Sequence, residues 1–272
     1  CALPIWASGG NFTTARAKGG GIGIQTAAMY AGGTPAVDLS ETYDGTSWTE
    51  GNNITGARED VGSAGTVTAG LIFGGNPPSP AGSALNEEYD GTSWSEQNNL
   101  PGGIWQNSGC GTQTAACSIG GYNGAATNVL NLYDGTSWTA SPAALNTTRY
   151  AGFAFGTTTA ATYCSGYHPS YQNATENFDG TTWTTTGNLP TASQGGAGAG
   201  TQTAGIGFGG EISPGLTAAV DFYDGSTWSA GANTLATARM KVGSAQAAAN
   251  TAALAFGGLT PSVTNSTEVF SV

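Results

Sequence analysis

The chain has 272 residues, of which only 8% are charged and 45 are glycine, where an ordinary soluble protein is about one quarter charged. That excludes a coiled coil or helical bundle, and a 39% hydrophobic content that includes seven Trp, ten Tyr and nine Phe excludes self-repelling disorder. Six basic against 17 acidic residues give a net charge of −11, so nucleic acid and anionic membranes are repelled on average, and no run of about 18 apolar residues spans a bilayer.

Cys1 is the residue type acylated in mature lipoproteins, but Trp6 follows too closely to leave a tether. A first apolar run then ends at Gly32 and Gly33, and the phrase YDGTSW follows at 43–48. The pattern repeats as LIFGG at 71–75 with YDGTSW at 89–94, and as CSIGG at 117–121 with YDGTSW at 133–138. In the fourth copy the diglycine has become Ser165 and Gly166, ahead of FDGTTW at 178–183. GIGFGG at 205–210 and YDGSTW at 223–228 form the fifth, and LAFGG at 254–258 opens a sixth that stops at TEVFSV with Phe270 in the Tyr slot. The five phrase tryptophans are 46, 44, 45 and 45 residues apart, and Trp6 stands 42 before Trp48. The two chain ends together therefore supply the missing half-copies of one sixth unit.

A period of this length with turn signals fits four short strands per unit. Strand a is the Gly/Ala stretch such as 62–66, strand b runs into the diglycine, strand c ends at the Tyr and strand d carries the Trp. ThrGlnThrAla at 112–115 and 201–204 turns a into b, and Asp-Gly turns c into d, with the glycine free to take positive φ. Sheets radiating from an axis leave gaps that widen outward, so small residues belong inside and aromatics outside. The expectation is an all-β, six-bladed β-propeller with four antiparallel strands per blade, one domain over 1–272. Its last blade, from about 239–272 plus 1–12, is closed by the N-terminal strand.

The diglycine, the Glu41-x-Tyr43 pair and Trp48 resemble the kelch-repeat signature, and the resemblance covers the whole chain. Sialidase-type turns separate the Asp and Gly that are adjacent here as Asp44 and Gly45. The wording of the repeats is similar to that of kelch-like propellers in virion proteins of tailed bacteriophages. This implies a fibre, decoration or receptor-facing component, extracellular or in the virion, with a protein assembly or a glycan as partner. A bacterial secreted or surface adhesin of lectin-like character is the alternative, and a glycan-acting enzyme ranks below both.

With six copies, the chain supplies its own comparisons. At one position ahead of strand a the units read Arg16, Arg58, Ile104, Arg149, Ser193 and Arg239; two before the Tyr or Phe they read Glu41, Glu87, Asn131, Glu176, Asp221 and Glu268. Arg occurs only where Glu does. This predicts the structural ion pairs Arg16 with Glu41, Arg58 with Glu87, Arg149 with Glu176 and Arg239 with Glu268; the alternative is a cationic ring at the channel mouth. The turn aspartates Asp44, Asp90, Asp134, Asp179 and Asp224 are spread around a rim, one per blade. They are expected to bond their own turns rather than converge on calcium, and no metal site is expected.

Up-and-down strand order puts the near-identical a–b and c–d turns on one face and the b–c and d–a connections on the other. The b–c connections vary, from NPPSPAGSA at 76–84 to YHPSYQ at 167–172, and variable loops on a rigid scaffold carry recognition. Trp105, Tyr122, Asn123, Tyr150, Tyr167, His168 and Tyr171 form the candidate ligand-binding group of that face, with rings and amides suited to a sugar or a protein edge. His168 is the sole histidine, and no nucleophile–base arrangement stands out, so no catalytic residue and no cofactor is expected. Cys110 and Cys117 fall opposite each other across the a–b turn of the third unit. They are read as a cross-strand disulfide or as two buried thiols.

Overall fold

The computed structural model describes residues 5–77 and 82–272. Cys1 and the middle of the 76–84 connection lie outside the described residues. Within them there is no helix; the strands form six four-stranded antiparallel sheets, each strand a lying beside strand a of the next blade until the ring closes from blade 6 back to blade 1. Blade 1 runs Gly20–Ile24, Ala27–Ala31, Ser40–Tyr43 and Trp48–Glu50; blade 2 runs Gly62–Thr66, Ala69–Phe73, Asn86–Tyr89 and Trp94–Gln97. Ser108–Thr112, Ala115–Ile119, Leu130–Tyr133 and Trp138–Ala140 make blade 3, and Phe153–Thr157, Ala160–Cys164, Thr175–Phe178 and Trp183–Thr185 make blade 4. Blade 5 comprises Ala197–Thr201, Ala204–Phe208, Val220–Tyr223 and Trp228–Ala230, with a small hairpin of Glu211–Ile212 and Gly215–Leu216 inserted between its strands b and c.

The repeated phrase makes the outer hairpin. Tyr43 faces Trp48 in register with rings 5.1 Å apart, and Asp44 spans the turn by accepting the Thr46 and Ser47 amides at 2.8 Å each, while Gly45 takes φ of 97°. Strand a is rich in Gly and Ala where neighbouring blades nearly touch at the axis: a Cβ on Gly109 would stand 2.1 Å from the Ser63 carbonyl of the preceding blade. Blade 4 departs from this with Phe153 and Phe155 in strand a, whose rings lie over Gly205 and Gly207 of blade 5. Further out the rings fill the wedge. Phe256 of blade 6 packs against Tyr30 and Trp48 of blade 1 at 5.2 and 5.0 Å, and burying each such ring contributes about 2–3 kcal/mol. The diglycines hold two successive left-handed residues, such as Gly74 at φ 65° and Gly75 at 102°. Ser165 keeps this conformation in the fourth copy, at φ 56°.

Blade 6 consists of Gly243–Ser244, Leu254–Phe256, Thr267–Ser271 and the N-terminal strand Ile5–Ser8, with Trp6 opposite Phe270 in the register that Trp48 and Tyr43 have elsewhere. Its strand a departs from the other five. Between Ser244 and Leu254 the chain is two residues longer than between Ser63 and Leu71, and the extra length leaves the sheet and crosses the axis. Gly200 of blade 5 donates to the Gln246 carbonyl at 3.3 Å and Ala247 donates to Gly23 of blade 1 at 3.0 Å. The Gln246 side-chain nitrogen, oriented to face acceptors, reaches Ser63 of blade 2 and Gly109 of blade 3 at 3.0 and 3.2 Å. The channel is thereby plugged on the side of the constant turns.

Candidate functional site

On the opposite side, six residues at equivalent positions just ahead of strand a encircle the channel mouth: Lys18, Asp60, Gln106, Ala151, Gly195 and Lys241, all left-handed with φ of 53–63°. Each backbone N–H donates to the carbonyl of its counterpart one blade back. Asp60 bonds Lys18 at 2.7 Å, Gln106 bonds Asp60 at 2.9 Å, Ala151 bonds Gln106 at 2.9 Å, Gly195 bonds Ala151 at 2.7 Å, Lys241 bonds Gly195 at 2.6 Å and Lys18 bonds Lys241 at 3.2 Å. This closed circle of six hydrogen bonds pins the blades together at the top. Beneath it lies a pit of about 100 Å3 that reaches down to Gln246.

The rim charges neutralise one another. Lys241 and Lys18 approach the Asp60 carboxylate at 3.0 and 3.6 Å, and Lys18 also meets Glu59 at 3.0 Å. Burial would raise the Asp60 carboxyl, but the two ammonium groups outweigh it and hold it below the usual carboxylate range. Neither this ring nor its charges were expected as a feature, although both lysines fall in the segment where every basic residue of the chain lies.

One residue before each ring position, the chain forms a short bridge to the residue after the diglycine, or after Ser165 and Gly166 in the fourth copy. The six bridges pair Ala17 with Thr34, Glu59 with Asn76, Trp105 with Tyr122, Tyr150 with Tyr167, Gln194 with Glu211 and Met240 with Leu259. They make a collar on the variable face that is small in blade 1, polar in blades 2 and 5, aliphatic in blade 6 and aromatic in blades 3 and 4. Trp105 and Tyr122 exchange backbone hydrogen bonds of 3.0 and 2.8 Å, as do Tyr150 and Tyr167 at 3.3 and 2.8 Å.

The aromatic part of the collar is continuous. Ring centroids are 4.8 Å apart from Trp105 to Tyr122, 5.4 Å from Tyr122 to Tyr150, 5.7 Å from Tyr150 to Tyr167 and 5.5 Å from Tyr167 to Tyr171. All five rings are half-buried, so each packs on its neighbours and still presents surface. Asn123 and His168 are exposed at the two loop tips, their side chains without a hydrogen-bond partner among the described residues. Burial and then the Tyr167 and Tyr122 hydroxyls push the Tyr150 hydroxyl up, so it stays protonated and able to donate. No protein-family model matches the chain, and no curated protein matches it.

The arginines are not at the mouth. All four guanidinium groups are buried inside their blades, on Glu41 at 3.0 Å for Arg16, Glu87 at 2.5 Å for Arg58, Glu176 at 2.5 Å for Arg149 and Glu268 at 2.6 Å for Arg239. Burial draws Arg16 and Arg239 below the usual guanidinium range. The second oxygen of each glutamate accepts a backbone N–H three residues before the arginine, from Thr13, Thr55, Asn146 and Ala236 at 2.6–2.8 Å. The cationic-ring alternative is thus overturned, because no part of these side chains reaches solvent.

Cys110 and Cys117 do face each other across strands a and b, but both are thiols, as is Cys164. Directly opposed residues keep their Cβ atoms about 4.5–5.5 Å apart, whereas a disulfide needs about 3.8 Å. The hydrogen bond that the Cys110 thiol donates to Cys117, together with burial, pushes Cys110 well up, and burial does the same for Cys164, which leaves them unreactive core groups. The turn aspartates are exposed and bond their own turns. Among the described residues no group of His, Cys, Asp or Glu could hold a metal, and no helix is long and apolar enough to cross a membrane.

Proposed function

We propose that this six-bladed propeller is a non-enzymatic, kelch-type binding protein whose aromatic collar grips an extended ligand, a glycan chain before a protein edge. The observation that carries the reading is the unbroken row Trp105, Tyr122, Tyr150, Tyr167 and Tyr171 on the face where the copies differ. Half-buried rings lose little conformational freedom on binding and offer flat apolar surface with hydroxyl groups at the edge. Asn123 and His168 add free polar groups beside them. The reading extends to an extracellular or virion setting, as a fibre, decoration or receptor-facing component of a tailed phage, in keeping with the sparse charge and the wording of the repeats. A secreted or surface adhesin would use the same collar.

A glycan array probed with the protein tests the reading. Retention on a subset of glycans, reduced at least tenfold by Tyr150→Ala or Tyr167→Ala with an unchanged melting midpoint, is the expected result. Retention that survives both substitutions, or none on any glycan, removes the collar as a carbohydrate site. Co-sedimentation with phage particles separates the virion setting from the adhesin.

A further inference from the structure

Blade 5 contains the slot that arginine fills in four other blades, without the arginine. The residue there is the buried Ser193. The acid of the slot is retained, shortened to Asp221, and the backbone donor three residues before the arginine position is also gone, because position 190 is proline and has no N–H. Asp221 consequently makes no hydrogen bond or ion pair among the described residues, although it is half-buried.

The acceptors that receive a guanidinium elsewhere are still in place. Arg16 donates to the carbonyls of Tyr30 and Leu39, and Arg239 to those of Gly257 and Ser266. Their blade 5 counterparts are Gly207, Ala219 and Gly209, and all three line a cavity of about 20 Å3 together with Asp221 and Ser193. Phe153 and Phe208 form part of its apolar wall, and exposed Thr191 with half-buried Ile212 and Thr217 stands at its outer side, on the variable face.

From this geometry we infer that the blade 5 cavity is a binding site for a primary alkylammonium head group, with Asp221 as its counter-ion. The carboxylate and the three backbone carbonyls can only accept, and the Ser193, Thr191 and Thr217 hydroxyls can accept as well, so a ligand that brings donors and a positive charge is complementary to the lining. The volume holds one water-sized group, which matches an ammonium and is too small for a guanidinium fork. The rings of Phe153 and Phe208 suit a cation further. The site shares no residue with the aromatic row and stands independently of it.

Methylammonium chloride titrated into the full 15N-labelled chain at pH 7.5, against potassium chloride of the same ionic strength, tests the site. The expected result is a saturable displacement of the Gly207, Gly209 and Ala219 amide signals, half-complete at roughly 10 mM as befits so small a ligand. Asp221→Asn keeps the shape, removes the charge, and should weaken the response at least tenfold, and tetramethylammonium should give none. A response equal to that of potassium chloride, or one unchanged in Asp221→Asn, overturns the proposal; a tighter response to methylguanidinium than to methylammonium overturns the assigned head group.

Discussion

Blades 4 and 5 are neighbours with the same strand plan, and they treat one buried position in opposite ways. In blade 4 the Arg149 guanidinium sits on Glu176 and on the Tyr163 carbonyl, while Asn146 donates to the second carboxylate oxygen at 2.6 Å. In blade 5 Ser193, Pro190 and Asp221 occupy the corresponding places, and Asp221 has no such contact among the described residues. Blade 3 shows a third solution: Ile104 fills the slot with apolar volume, Pro101 again removes the donor, and the acid has become the neutral Asn131. The lesson is that the acid, the base and the backbone donor form one electrostatic unit. Blade 3 has lost all of its members, whereas blade 5 has lost every member but the charge.

The largest effect should come from breaking the unit in blade 4. Arg149→Ala leaves Glu176 buried without a countercharge, at a cost of about 3–5 kcal/mol, or on the order of 10 °C in the melting midpoint for a chain of this size. Adding Glu176→Asn to Arg149→Ile, which copies blade 3, should recover more than half of that loss. Equal melting of the single and double variants would show that packing rather than charge sets the cost.

A smaller effect of opposite sign is expected in blade 5. Desolvation raises the Asp221 carboxyl to about 6 from its ordinary 3.8. Between these values the folded chain keeps a proton that the unfolded chain has released, so stability falls as pH rises through the window, and the penalty is complete by pH 7. Asp221→Asn should therefore stabilise the protein at pH 7, by on the order of 1 kcal/mol once solvent screening of this partly exposed group is allowed for, and should make little difference at pH 4. A melting gain that is the same at both values would contradict this origin. The smallest effect belongs to Asp44→Ala on the constant face: its turn is exposed and one of five alike, so hydrogen exchange at Thr46 and Ser47 should quicken while the midpoint barely moves.

The propeller was legible in the chain because its signal is repeated: one Asp-Gly turn is weak evidence, but five at a spacing near 45 residues, with Trp6 and Phe270 left over at the ends, leave little choice of closure. The ion pairs were legible for a related reason, since Arg and Glu appear and vanish together among the copies. Asp221 was visible as the acid of a unit whose arginine position holds Ser193. Its isolation depends on Pro190, and only the folded register shows that position 190 is where the other blades supply an N–H. The Gln246 plug had a sequence trace in the two-residue insertion, but the direction taken by extra length is not encoded in length.

By itself, then, the order of residues determined the strands, the blade number, the meeting of the termini and the partners of the buried arginines, because short-range turn chemistry and a repeated hydrophobic pattern are local properties summed over six copies. Tertiary structure alone decided which side chains share a space: the five rings joined from separate loops into one row, the six backbone amides closed into a circle, and the carboxylate left beside an empty slot. Each of those depends on distances between segments many residues apart, which are set by how the blades pack around the axis.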